Sequence, residues 1–115
     1  KPTLTYPYEA FRDGEGHRML ITENGNNSLV AYNDDDTNAR VYMAPIGSGP
    51  AGLRRIPGGK IYVALSNSGA VGIIGPALTY DGSIVLTGHI SKVFYDGSNI
   101  WAVRADQATL YRAAQ

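Results

Sequence analysis

Two histidines, ten acidic residues and no cysteine bound the chemistry open to this chain of 115 residues. Asp34, Asp36 and Asn38 alternate as in the first half of a calcium loop. An EF-hand would next need Gly after Asn38 and a bidentate Glu at its twelfth position. Ala39 and Pro45 stand there instead, which leaves a looser calcium site or a solvated loop. His17 and His89 lack the spaced partners of a zinc site, and no GxSxG elbow marks a nucleophilic serine. Glu9, Glu15 and Glu23 are the residue type that glycosidases pair with a second carboxylate, but nothing in the sequence sets the separation. The expectation is a protein with no catalytic residue, no metal and no cofactor.

Glycine motifs give the same answer. Gly47, Gly49 and Gly52 match GxGxxG, yet Pro57 and the adjacent glycines stop the helix that a dinucleotide fingerprint needs, and position 72 is Gly72 rather than an acid. Gly58-Gly59-Lys60 lacks both the earlier glycine and the following hydroxyl of a P-loop.

What remains are residues suited to contact rather than catalysis. Arg54 and Arg55 lie in a Pro/Gly-rich stretch over 45–59, where they either bind an acidic sugar or keep a long loop soluble. Trp101, the only tryptophan, is either a core or subunit-interface anchor or a sugar-stacking platform. Leu4, Tyr6 and Tyr8 are the apolar positions of an extended N-terminal stretch, KPTLTYPY, suited to strand addition on a partner.

Composition sets the frame for these contacts. Charged residues make up 17%, below the roughly 25% of an average domain, and ten basic residues balance ten acidic ones. The missing basic excess argues against nucleic acid. Low net charge favours self-association. No apolar run has the ~18 residues of a membrane helix, so no membrane insertion is expected.

The elements that must position these residues are strands. RMLITE, SLVAYN, ARVYMA, KIYVALS, SIVLTG, HISKVFY and IWAVRA are β-branched and aromatic runs bounded by turn residues. Asn24-Gly25 marks a hairpin between the first two. The tetrapeptide YDGS at 80–83 and 95–98 reads as two turns, because the similarity does not extend beyond it. The pattern predicts an all-β fold: an antiparallel β-sandwich or jelly roll of about eight short strands over 13–105. An extended arm or edge strand would cover 1–12, and QATLYRAA would make a short C-terminal helix within 106–115.

The cadence IPGGKIYVALSNSG, AVGIIGPALTYDGSIVLTG and ISKVFYDGSNIWAVR resembles the trimeric β-sandwich tip domains of tailed-phage fibres, spikes and related virion appendages. That resemblance implies a non-enzymatic homotrimer on the virion surface, associated with other virion proteins. A fibre or spike tip would bind a host glycan or outer-membrane receptor. A head-decoration protein would instead sit at capsid three-fold positions through its N-terminal arm. Outside the virion, a small carbohydrate-binding module and a minimal hydrolase stay open.

Overall fold

A computed structural model describes residues 6–13, 18–33, 40–45, 49–56, 59–75, 79–106 and 109–114. Within them the chain forms eleven strands and one short 3-10 turn, with no α-helix among the described residues. The strands are β1 (Pro7–Asp13), β2 (Arg18–Glu23), β3 (Ser28–Asn33), β4 (Arg40–Pro45), β5 (Pro50–Arg55), β6 (Ile61–Leu65), β7 (Ala70–Ile74), β8 (Tyr80–Val85), β9 (Ile90–Tyr95), β10 (Asn99–Arg104) and β11 (Thr109–Ala114). They make three antiparallel meanders: β1–β4, β5–β8 and β9–β11. The first strands of the three sheets, β1, β5 and β9, are neighbours in space, with β5 between the other two.

The middle sheet shows why the sequence folds this way. Strand β6, Ile61–Leu65, is buried at every position. Side chains alternate across a strand, so Ile61, Val63 and Leu65 enter one core with Leu20, Leu29 and Ala31 of the first sheet. Tyr62 and Ala64 enter a second core with Ile90, Val93, Ile100 and Ala102 of the third. A strand covered on both faces reads as an unbroken apolar run, as IYVAL does. The chain therefore stacks three sheets in a row through two separate cores.

The three sheets repeat one another. The Asn24 amide donates to the Tyr6 carbonyl (2.9 Å), Ser66 to Gly49 (2.8 Å) and Ala105 to His89 (2.9 Å), each bond tying the end of a second strand to the start of the first. The acceptors follow at roughly forty-residue intervals, the period of a blade-like repeat. Asn27 (φ 53°) and Gly69 (φ 63°) close equivalent β2–β3 and β6–β7 turns in the left-handed region. The hairpin expected at Asn24-Gly25 forms, with the positive φ at Asn27.

Several expectations are corrected. The single sandwich of about eight strands is replaced by eleven strands in three sheets. No C-terminal helix forms, since Thr109–Ala114 is strand β11. Two turns of isolated helix are marginal, whereas β10 offers a whole strand edge and pairs from Asn99↔Ala114 to Arg104↔Thr109. Tyr111 then packs on the second core. The stretch 45–59 is no long loop, because Pro50–Arg55 forms β5. Proline is tolerated as the first residue of a strand. The first YDGS is no turn either. It lies inside β8, where the register slips between Ile73↔Gly82 and Ile74↔Tyr80, leaving Asp81 as a bulge. The predicted arm coincides in part with β1, which is an edge strand paired to β2.

Gly52 lets β5 lie against β9. A Cβ there would sit 2.7 Å from the Ser91 carbonyl oxygen and 3.0 Å from the Lys92 Cα, both backbone atoms. Gly52→Ala is predicted to force the second and third sheets apart and cost ~1–3 kcal/mol of stability. Urea denaturation would read this as a lower midpoint, and an unchanged midpoint would contradict the close approach.

Candidate functional site

The first strands of the three sheets bring charged side chains together from distant parts of the chain. Glu9 on β1 is largely buried and has three partners beyond its own sheet. Its Oε1 accepts a 2.7 Å hydrogen bond from the Leu53 amide of β5 and lies 3.4 Å from Arg54 Nη1. Its Oε2 lies 3.1 Å from Lys92 Nζ of β9. Two rings flank the cations. Lys92 Nζ is 5.4 Å from the centroid of Tyr8, and the Arg54 guanidinium is 5.9 Å from that of Phe94, both cation–π distances.

Local structure places each member. Glu9 faces the second sheet because Thr22, opposite it on β2, points the same way, its hydroxyl donating to the Ala51 carbonyl at 2.7 Å. The Glu9 amide donates to the Thr22 hydroxyl at 3.1 Å, where β1 departs from regular pairing between Pro7 and Glu9. Lys92 runs along the surface left open by Gly52. The cluster carries one negative and two positive charges. Arg54 and Lys92 remain more than one-third exposed, so both keep donors facing solvent.

A second recess lies where the strand-connecting turns meet. Ser66, Asn67 and Ser68 of the β6–β7 turn face Thr87, Gly88 and His89 of the β8–β9 connection across a cavity of about 240 Å³. The lining residues bring hydroxyls, an amide, an imidazole and backbone, with Leu86 as the apolar member. Beside it, Arg104 Nε meets Asp106 Oδ1 at 2.8 Å, and the same oxygen accepts from the His89 amide at 3.3 Å.

The turn before β10 is held by one carboxylate. Asp96 Oδ1 accepts from the amides of Ser98 (2.8 Å) and Asn99 (2.7 Å), and Oδ2 accepts from the Trp101 indole Nε1 (2.7 Å). The Asn99 amide first, then the indole, holds the Asp96 carboxyl below the usual carboxylate range. Arg104 does the same for Asp106, whose carboxylate in turn raises Arg104. Burial, followed by the nearby Tyr95, raises Tyr62. Each of these shifts moves a group away from neutrality, so none prepares a proton donor or acceptor for work near pH 7.

The residues singled out for contact are thus dispersed. Tyr8 and Arg54 meet around Glu9. Tyr6 is exposed at the start of β1 with φ 48°. Arg55, the next residue of β5, is half-buried. Trp101 is half-buried on the far face of the third sheet, with the Arg112 guanidinium 5.8 Å from its ring. Leu4, Asp34 and Asp36 lie outside the described residues. Two members of the cluster were not expected as contacts. Glu9 stood only among possible hydrolytic carboxylates, and Lys92 carried no signal, being a lone cation in a strand. No group of three or more metal-ligating side chains occurs among the described residues.

No family model and no curated protein matches this sequence. Solved structures do. Hydrazine synthase of Kuenenia stuttgartiensis superposes on 97% of this chain and 36% of its own, with TM-score 0.75 and 14% identity. A luciferin-regenerating enzyme superposes on 100% of this chain and 47% of its own, with TM-score 0.77 and 12% identity. A Bacteroides caccae protein of unknown function covers 99% and 48%, with TM-score 0.57 and 13% identity. The chain thus spans between about a third and a half of the length of these structures. Such neighbours are β-propeller-like, built from four-stranded sheets set radially around an axis. At this identity the likeness shows the fold alone: β1–β4, β5–β8 and β9–β11 are successive blades, and β1, β5 and β9 are their inner strands.

The Asp96 turn gives an acid-range prediction. A carboxyl whose pKa is lower folded than unfolded stabilises the fold above its unfolded value, about 3.9. That contribution disappears as pH falls through the lower folded value. Asp96→Ala is expected to flatten the acid limb of a melting-temperature-versus-pH curve and to change Trp101 fluorescence at neutral pH. An acid limb and emission identical to wild type would show that the turn does not depend on this carboxylate.

Proposed function

We propose that this chain is a non-enzymatic binding module whose inner-strand cluster recognises an anionic group carried on an apolar body. One observation carries the reading. Two cations from different blades, Arg54 and Lys92, converge on a single carboxylate, and an aromatic ring flanks each of them. Glu9 holds both cations in place at the cost of one charge, which leaves the cluster net positive. A ligand carboxylate or phosphate would meet oriented donors, and Tyr8 and Phe94 would cover its apolar part. Function resides in the site rather than in the fold, because one fold hosts many unrelated activities.

The expectation of virion attachment by a homotrimer rests on sequence resemblance alone. The strand-and-turn cadence behind that resemblance is also what successive blades produce. The carbohydrate-binding reading has one observation in its favour, the 240 Å³ recess, whose lining is uncharged and polar apart from Leu86 and glycine.

One titration separates the two sites. With benzoate as probe, side-chain NMR signals of Arg54 and Lys92 are expected to shift, more weakly as salt rises. The shifts should be lost in an Arg54→Ala/Lys92→Ala double variant and kept in Trp101→Phe. Benzoate shifts that survive in the double variant, or no shift at Arg54 and Lys92 in the wild type, would overturn the proposal. Neutral monosaccharides that shift only Ser66–Gly69 and Thr87–His89 would move the function to the recess.

A further inference from the structure

Two blade junctions lie inside this chain, and their turns correspond residue for residue. The pairs Glu23↔Ser28 and Leu65↔Ala70 enclose four-residue turns, at 24–27 and 66–69. Asn27 and Gly69 therefore hold the same place, and both are left-handed, at φ 53° and 63°. The strand-end hydrogen bonds likewise make Gly49 equivalent to His89. What differs is the side chain that crosses the junction. At the first, Asn27 Oδ1 accepts from the Gly49 amide at 3.0 Å, so a carboxamide links the turn to the connection facing it. At the second, Gly69 brings no side chain, and the His89 amide donates instead to Asp106 of its own blade at 3.3 Å. A Cβ on Gly69 would point at the facing connection, 3.2 Å from the Gly88 nitrogen and 3.4 Å from the Thr87 Cα. The 240 Å³ recess thus lies where the first junction carries its carboxamide.

We propose that the recess binds a primary carboxamide on a short apolar stem, the group with which the chain fills the equivalent place itself. A carboxamide offers two N–H donors and a carbonyl acceptor. The lining residues Asn67, Ser68, Thr87 and His89 are types that both donate and accept, and Leu86 offers apolar contact to a stem. Gly69 is buried at the foot of the recess, whereas those four polar residues are exposed, so a ligand enters from solvent. Charge beside the recess is already matched, because Arg104, packed across Gly88, is paired with Asp106. An ionised ligand group would therefore lose hydration there without gaining a free counter-charge, which favours a neutral amide. The carboxamide of a small molecule and that of a peptide glutamine share this chemistry.

The test is a backbone-amide NMR titration of the full chain with butyramide at millimolar concentration, and with butanol and methyl glucoside as controls. Butyramide is expected to shift the amides of 66–69 and 87–89 and to leave that of Gly49 in place, while both controls leave all of them unmoved. Gly69→Asn gives the second junction the side chain of the first, in a backbone region that asparagine tolerates, and should abolish the shifts. Asn27→Gly makes the converse change where glycine suits the backbone, and butyramide should then shift the Gly49 amide too. Stronger binding of N-acetylglutamine methylamide than of butyramide would support a polypeptide as the source, and equal binding a small molecule. An unshifted recess in the wild type, equal shifts from either control, or shifts that survive in Gly69→Asn would overturn the proposal. So would an Asn27→Gly protein whose Gly49 amide ignores butyramide, and this variant decides the question if Gly69→Asn fails to fold. The benzoate titration reads Arg54 and Lys92 rather than these amides, so the two sites can fail separately.

Discussion

Among the described residues, every sheet begins with a strand that has no strand partner on one side, and the three such strands lie side by side with β5 in the middle. An unpaired strand edge is a liability, with amides and carbonyls that must find water, side chains or another chain. Glu9 answers part of that demand. Its carboxylate takes the Leu53 amide from the inner edge of the second blade and reaches Lys92 on the third. A hydrogen bond to a charged acceptor is roughly twice as strong as one between neutral groups. The surface ion pairs with Arg54 and Lys92 add little stability by themselves, because both cations are substantially exposed. Their value lies in orientation: the contact that joins the inner strands also fixes two cations side by side.

Around that line the energetics are those of paired cores. Strand β6 supplies both, facing Leu20 and Leu29 through Val63 and facing Val93 and Ile100 through Tyr62. Gly52 permits the close approach of β5 to β9, and Thr22 satisfies the Ala51 carbonyl that a buried inner strand would otherwise leave open. The Leu53 amide and the Ala51 carbonyl thus have partners from the neighbouring blade. The same logic organises the turns, where Asn27 Oδ1 accepts from the Gly49 amide at 3.0 Å.

The all-β class and the middle strands were legible in the sequence because those strands obey simple rules. IYVAL and RMLITE are apolar, β-branched and bounded by turn residues. Strand β1 was legible only as an arm or an edge strand, and β5 was read as loop, for a physical reason: edge strands facing an axis carry Pro7, Glu9, Arg12, Pro50, Gly52 and Arg54, residues that suit an arm or loop as well as a strand. Strand β11 was mistaken for helix because Ala-rich TLYRAA satisfies either period over so short a stretch, and only the open edge of β10 decides it. The blade repeat escaped notice because it is preserved in backbone hydrogen bonds and burial, whereas the one repeated tetrapeptide, YDGS, falls at non-equivalent places, a bulge and a turn. The site was half visible. Tyr8 and Arg54 stood out as contacts, but Glu9 and Lys92 are 83 residues apart, and nothing local signals that they meet.

The Glu9 carboxylate holds the inner edges together, and the exchange of one amide tests that most directly. By hydrogen–deuterium exchange under native conditions, the Leu53 amide should be protected although it lies on an inner strand edge, and Glu9→Ala should remove that protection while leaving the amides of β6 protected. A Leu53 amide that exchanges as fast as an open one in the wild-type protein would contradict the account.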